Sequence, residues 1–363
     1  MAEPSPRFQE RAVKRARVEA ILGARGLEAV LITDPGTVSW YLCGARSHVV
    51  SLADAGVAAV LAGRDREEVR TSVIEAPRLA QEELGEGAPP IVAVPWWIPL
   101  DADLGVTRDA LGSDGPVEGA ADVAADLLAA RAALTPPEVD RYRALGRDTA
   151  AAAGEALRGA RAEEREWTLA GRAARALLER GCEVLVLLVA GAERLPRHRH
   201  PLPTDAPLGD RAMLVVGARR HGLVCSVTRL RTFAPLDAAA RARYRALLDV
   251  EAAGLAATRP GEPVGAAVAA MADAYPAAGF AADEWHHHHQ GGPTGYATRD
   301  VLATPATREP VRSGQAFAWN PSGGGFKVED TVLATEDGVE ILSPDPEWPA
   351  VDVAGRERPD VLA

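Results

Sequence analysis

The sequence has few cysteines and no long apolar run, and each shortage excludes a class of protein. Among its 363 residues the cysteines Cys43, Cys182 and Cys225 are too widely spaced, and odd in number, for a disulfide framework or a cysteine-ligated zinc site. The longest apolar run, 184–192, is far shorter than the ~20 residues that a membrane-spanning helix needs. Charges throughout positions 1–25 argue against a signal peptide. We therefore expect a cytoplasmic protein with no membrane partner.

Positive charge is also in short supply. The chain has 40 Lys and Arg residues against 51 Asp and Glu residues, a net charge of −11, and Lys14 and Lys327 are its only lysines. A chain with this negative net charge lacks the electrostatic attraction to phosphate groups that supports nucleic-acid binding, so we expect no nucleic-acid partner. With 47% hydrophobic and 25% charged residues the composition is that of a globular protein, and the length favours two domains.

The first third of the chain alternates helical and strand-like patterns. A helical pattern at 9–24 precedes short apolar runs, LEAVLIT at 27–33 and VAAVLAG at 57–63, of the length expected for buried strands. This pattern indicates a small α/β domain. The stretch 89–115 is rich in Pro, Asp and Gly and predicts loops.

A helix start marks the predicted domain boundary. Thr135 as N-cap, Pro136 in the first turn and Glu138 at the third position form a capping box. The segments that follow predict long helices and then pairs of antiparallel strands, and the last third is rich in strands. We therefore predict two domains, spanning 1–133 and 134–363.

Four phrases occur in one order along the chain: ITDPGTVSWYLCG (32–44), LTPPEVDRYR (134–143), LGDRAMLVVGARRHGLVCSVTR (208–229) and AFAWNPSGGGFKVEDTVLATEDGVEIL (316–342). In this order they resemble the pita-bread hydrolases, the family of aminopeptidase P, prolidase, methionine aminopeptidase and creatinase. The resemblance implies an α/β creatinase-like N-terminal domain followed by an α+β pita-bread domain. Because relatives with this N-terminal domain are usually dimers, it also implies a homodimer buried through that domain.

The resemblance implies a metal site whose ligands are mostly missing here. The family holds two divalent ions with two Asp, one His and two Glu. On this sequence the two Asp positions fall on Val215 and Ser226, and the first Glu position falls on Asn320. Only His289 and Glu329 match. One carboxylate cannot hold two divalent ions, so we expect no dinuclear centre and no cofactor, with a single divalent metal as the alternative.

Hydrolysis without metal stays open within this family, because the resemblance includes creatinase, which uses a histidine instead. The corresponding histidine is His198 or, if the alignment has a gap, His200. A neutral imidazole accepts and returns protons near pH 7. We therefore expect these residues to be catalytic: His198 or His200, His289 and Tyr296, the last at the position of a second family histidine. Three further residues are candidates for substrate binding: Asn320, Glu329 and Arg229. Of these, we expect Arg229 to be structural rather than catalytic.

Two local patterns refine the candidate site. The four histidines at 286–289 cannot all converge if the run is extended, because alternate side chains then point to opposite sides, and we expect only His289 in the pocket. Lys327 lies two positions before Glu329, so on a strand both side chains share a face. Lys327 is therefore the predicted ion-pair partner of a buried Glu329.

The sequence leaves several functions open. The leading hypothesis is a metal-independent hydrolase or lyase that acts on a C–N bond of a small amide, dipeptide-like or guanidino compound. The alternatives are a binding module without chemistry, as in some chromatin-associated relatives, and an ordinary two-metal Xaa-Pro aminopeptidase. A further alternative is a rebuilt single-metal enzyme that uses four side chains as ligands: His198, His200, His289 and Glu329.

Overall fold

The computed structural model describes residues 5–51 and 53–363, which divide into two compact units, 1–139 and 140–363. No helix in these two described ranges is long and apolar enough to cross a membrane. The helices are α1 (Pro6–Arg25), α2 (Pro35–Tyr41), α3 (Ala76–Arg78), α4 (Ala124–Ala132), α5 (Pro136–Arg158), α6 (Glu166–Glu179), α7 (Ala238–Ala257) and α8 (Val264–Ala277).

The first unit is built on one mixed sheet of six strands in the order β4-β3-β2-β1-β5-β6. Antiparallel pairs join β1 to β2 and β2 to β3, and parallel pairs join β3 to β4, β1 to β5 and β5 to β6. All four residues of β1 are buried, which explains its continuous apolar sequence. The strands are β1 (Ala29–Ile32), β2 (Ala58–Gly63), β3 (Glu67–Ser72), β4 (Ile91–Val94), β5 (Leu111–Ser113) and β6 (Ala121–Asp122).

The structure shows the Glu138 half of the predicted capping box at the start of α5. The Glu138 carboxylate accepts from the backbone N–H of Thr135 at 2.7 Å and from its hydroxyl at 2.8 Å. Lys14, on α1, is fully buried and pairs with Glu138 at 2.8 Å and with Glu10 at 2.5 Å. This lysine therefore stabilises the first unit from inside, since each of its carboxylate partners is buried as well.

The second unit contains two antiparallel sheets, one in the order β7-β8-β9 and one in the order β10-β11-β14-β15, with two short hairpins. A single bridge between Thr228 and Glu329 connects the two sheets. The strands are β7 (Glu183–Gly191), β8 (Arg211–Arg220), β9 (Leu223–Thr232), β10 (Gly291–Thr294), β11 (Ala316–Trp319), β12 (Ser322–Gly323), β13 (Phe326–Lys327), β14 (Asp330–Thr335), β15 (Gly338–Ile341), β16 (Ala350–Val353) and β17 (Arg356–Pro359).

Helices α7 and α8 pack against each other, and their apolar residues belong to the same core cluster as the strands β8, β11 and β14. Trp319, at the end of β11, is buried and stacks on Phe317, and its indole N–H donates to the Thr258 hydroxyl at 2.9 Å. Its side chain therefore belongs to the core, and Asn320 follows it at the strand end. The alternation of a strand directs the Asn320 side chain away from that of Trp319.

Candidate functional site

Glu329 is the centre of a buried charge cluster between β9 and β14. Its side chain is almost fully buried, as is that of Lys327, and the Lys327 ammonium lies 3.2 Å from Glu329 Oε2. The predicted pair is therefore present, on the shared face that the two-residue spacing indicates. The Thr228 hydroxyl donates to the same carboxylate oxygen at 2.9 Å.

Arg299 completes this cluster, and the sequence patterns did not indicate it. Its guanidinium donates from Nη2 to Glu329 Oε1 at 2.7 Å and from Nη1 to Ser226 Oγ at 3.4 Å. Burial alone would raise the pKa of Glu329, but Lys327 and Arg299, with hydrogen bonds from Arg299 and Thr228, outweigh burial and lower it to about 2. Glu329 is therefore an ionised carboxylate held between two cations.

This arrangement does not fit a dinuclear metal centre. The resemblance places two of the family's carboxylate ligands at the positions of Ser226 and Glu329, and the Arg299 guanidinium lies between these two residues. Val215, at another such position, is buried in the apolar core on β8. Two divalent ions would have to displace Arg299 and share a single carboxylate. The residues at this place are therefore unsuited to holding two divalent ions.

A second cluster consists of three histidines beside these charges. His200 lies in the loop between β7 and β8, and His288 and His289 follow a short 3-10 turn, Glu284–His287, that leads into β10. The Nε2 atoms of His200 and His288 are 3.0 Å apart. One ring nitrogen from each of the three residues lies within 4.8 Å of the others. We call these three residues the histidine cluster.

The histidine cluster is neutral at pH 7. Burial, followed by the charge of Lys327, lowers the pKa of His288 to about 2. Burial, followed by the charge of Arg299, lowers that of His289 to about 4, and the pKa of His200 is lowered by burial and then by Lys327. Each ring therefore presents a lone pair on one nitrogen.

Four buried polar atoms of the site have no hydrogen-bond partner among the described residues: His288 Nδ1, His289 Nδ1, Asn320 Oδ1 and Arg299 Nε. Asn320 is 1% exposed, and its backbone N–H donates to the carbonyl of Gln290, the residue that follows His289. Unpaired buried polar atoms are rare in proteins because each costs about 1–3 kcal/mol. Such a group of atoms is typical of a site that receives a ligand.

The structure differs from the expected alternation in the histidine run. Residues 286 and 287 lie at the end of the 3-10 turn and are exposed, whereas His288 is buried and shares the cluster with its neighbour His289. The alternation does not apply because the run is not an extended strand. His288 was therefore missed as a site residue, and its only sequence signal was its place in the run.

The remaining predicted residues lie in different surroundings. His198 is exposed and lines a small cavity with Lys327, outside the histidine cluster. Tyr296 is 5% exposed and follows β10. Arg229 is directed into the buried interior, where it donates to Asp330 at 2.9 Å. The structure thus brings together His200 and His289, and separately Lys327 and Glu329, and it places Arg229 in a structural ion pair.

Similar folds occur in solved structures of other proteins. The prolidase from Pyrococcus horikoshii OT3 has a TM-score of 0.77 at 16% identity, with coverage of 91% of this chain and 98% of that one. The dipeptidase PepE from Mycobacterium ulcerans has a TM-score of 0.76 at 18% identity, with coverage of 93% and 97%. The N-terminal domain of the FACT complex subunit SPT16 from Cicer arietinum has a TM-score of 0.66 at 15% identity, with coverage of 93% and 96%. These likenesses establish the fold.

The predicted α/β and α+β pita-bread architecture is confirmed by these structures. A comparison with curated protein sequences found no match. The family model described as metallopeptidase family M24 matches residues 140–336, which is more than half of the chain and includes both the charge cluster around Glu329 and the histidine cluster. The protein therefore belongs to metallopeptidase family M24, whose members are peptidase-like hydrolases.

Proposed function

We propose that this protein hydrolyses a C–N bond in a small amide, dipeptide-like or guanidino compound and works without a dinuclear metal centre. The observation that carries the proposal is the Arg299 guanidinium, which donates to Glu329, the one carboxylate that matches the family, and to Ser226, at the position of a missing carboxylate. Lys327 binds the other oxygen of the same carboxylate. A pair of metal ions would have to break this buried ion-pair cluster, and few carboxylates remain to compensate.

The histidine cluster is the proposed reaction centre. In hydrolysis a water molecule adds its oxygen to the acyl or guanidino carbon, and its proton reaches the departing nitrogen as the C–N bond breaks. Neutral imidazoles have the lone pairs that such proton transfers need. We assign this role to His200 and His289, of which His289 also stands at the histidine position of the family.

Two buried polar side chains are the proposed substrate contacts. The Asn320 amide has an unpaired Oδ1, which an N–H group of the substrate would satisfy. Tyr296 is buried just after β10 and carries a phenol that can donate a hydrogen bond. Glu329 acts indirectly, since both of its oxygens already bind side-chain cations, and it fixes the walls of the pocket.

The substitution His289→Ala tests the proposal. We expect at least about a 100-fold loss of turnover, because general acid–base groups contribute 10²–10⁴-fold. The assay measures the release of amine from a panel of three compound classes: dipeptides that include Xaa-Pro, N-acyl amino acids, and guanidino acids. His287→Ala is the matched control, since His287 belongs to the same run but is exposed.

Equal turnover of the His289→Ala and His287→Ala proteins would contradict the proposed reaction centre. If neither the wild-type protein nor any variant released amine from the panel while the wild-type protein still bound panel compounds, the binding module would be the better description. His200→Ala is the second variant, and it should resemble His289→Ala rather than His198→Ala, because His198 lies outside the histidine cluster.

A further inference from the structure

We propose that His200, His288 and His289 form a binding site for one divalent transition-metal ion. This inference takes from the proposed function only the location of the pocket. An ion on these rings occupies the lone pairs that His200 and His289 need for proton transfer, so we expect a bound ion to inhibit hydrolysis and the chelated protein to be the active form. The site shares His289 with the ligand set of the family and takes no carboxylate from it. It also differs from the set suggested by the sequence, because His288 replaces His198 and Glu329.

The geometry of the cluster suits a single ion. Two nitrogen ligands about 2.1 Å from a tetrahedral ion lie about 3.4 Å from each other. The Nε2 atoms of His200 and His288 are 3.0 Å apart, close to this separation. All three ligand nitrogens lie within 4.8 Å of one another, so His289 has to approach by no more than roughly 1.4 Å. Rotation of one side chain covers this distance.

The contact between His200 and His288 does not account for both ring nitrogens of His288. His288 is 6% exposed, and its Nδ1 has no partner among the described residues. Whichever of the two facing Nε2 atoms carries a proton, His288 keeps a buried nitrogen without a partner, so the His200–His288 contact is not self-sufficient. A metal ion uses both Nε2 lone pairs at once and replaces this contact. It leaves His288 Nδ1 as an N–H donor with no acceptor among the described residues, so we expect a water molecule to be its outer-shell partner.

The donor set and the neighbouring charges define the class of ion. Three imidazoles suit zinc, cobalt, nickel or copper and leave a coordination position open for water or substrate. Lys327 and Arg299 oppose any added cation, and Glu329 offsets one of these two charges. The site therefore selects metal ions by their affinity for nitrogen ligands. We expect no binding of Mg²⁺ or Ca²⁺, because these ions require oxygen ligands.

The test is a titration of the full-length protein after treatment with a chelator. Co²⁺ is added while visible absorption and heat are recorded, and we expect one equivalent per chain with the absorption of a nitrogen-ligated cobalt ion. Zn²⁺ should displace it, and Mg²⁺ should give no signal. His288→Ala should weaken Co²⁺ binding at least 30-fold, and His200→Ala and His289→Ala should do the same. His286→Ala and His287→Ala, in the same run but exposed, should bind as the wild-type protein does.

Several results would overturn this inference: no Co²⁺ or Zn²⁺ binding by the wild-type protein, equal binding by His288→Ala and His286→Ala, or two equivalents per chain. The proposed hydrolase activity is tested separately from the metal site. If the chelated protein binds no ion but still hydrolyses a panel compound in a manner that depends on His289, the metal inference fails and the hydrolase stands. If the ion binds but the chelated protein hydrolyses no panel compound, the hydrolase fails and the metal site stands.

Discussion

Replacing Glu329 with glutamine is expected to lower the free energy of unfolding by about 3–5 kcal/mol. The substitution keeps the shape of the side chain but leaves Lys327 and Arg299 as buried cations without a carboxylate. The loss of one partner from a buried ion pair is costly because the remaining charge stays away from water. Denaturation in guanidinium chloride, followed by circular dichroism, measures the change.

Three comparisons sharpen the Glu329→Gln experiment. The matched control is Glu179→Gln, which removes an exposed carboxylate from its pair with Arg175 and should leave the denaturation midpoint unchanged. The loss should be the same with and without a chelator, since this account gives Glu329 no metal to hold. In the double variant with Lys327→Met part of the stability should return, because one of the unpaired cations is removed. A Glu329→Gln protein as stable as the Glu179→Gln protein would refute the charge cluster.

The difference in the free energy of unfolding between the wild-type and Glu329→Gln proteins should decrease at low pH. The pKa of Glu329 is about 2 in the folded protein, and an unfolded glutamate has an ordinary pKa of about 4.3. A lowered folded-state pKa means that the contribution is fully present above the unfolded value and is lost as pH falls through the folded value. The difference between the wild-type and Glu329→Gln proteins should therefore be constant above about pH 5 and shrink in acid.

Replacing Arg358 with methionine is expected to cost a similar amount, about 3–5 kcal/mol. Arg358, on β17, forms two hydrogen bonds with Glu251 of α7, at 2.8 and 2.7 Å, and one with Asp330 at 2.7 Å. Burial raises the pKa of Glu251 even with Arg358 opposing it, so without the arginine this carboxylate is either a buried charge or takes up a proton. Asp330 keeps its second partner, Arg229.

Urea denaturation of the Arg358→Met protein measures this cost, and Arg356→Met is the matched control from the same strand, where the arginine is only partly buried. The double variant Arg358→Met/Glu251→Gln should recover part of the loss, because it removes the unpaired carboxylate. If Arg358→Met and Arg356→Met unfold at the same urea concentration, the network has no measurable role in stability.

Local sequence rules identified the elements that depend on local chemistry. The helix start at Thr135 was predictable because its N–H groups are satisfied by a residue three positions away. The Lys327–Glu329 pair was predictable from strand periodicity alone. By contrast, the loop-rich stretch 89–115 also contains β4 and β5, which are only four and three residues long. Each is held by a parallel neighbour remote in sequence, and no local pattern reports such pairing.

The candidate site was predictable only in part for the same reason. Arg299 lies in a loop, and its contacts with Ser226 and Glu329 join residues that are 73 and 30 positions apart. The absence of the family's carboxylate ligands predicted that the dinuclear site would be lost. It did not indicate that a guanidinium would lie at that place. His288 was hidden because strand alternation was assumed for a run that ends a 3-10 turn. The roles of His200, His289, Tyr296 and Asn320 stay predictions until the variants are assayed.

The central claim is that side-chain cations replace the dinuclear centre of this metallopeptidase family. The most direct measurement is an anomalous difference map from crystals of the full-length protein grown with Mn²⁺ or Zn²⁺. We predict that the Arg299 guanidinium lies between Ser226 and Glu329 with no ion there, and that at most one ion is present, within the histidine cluster. Two peaks about 3.5–4 Å apart, ligated by Glu329 with Arg299 displaced, would contradict the account.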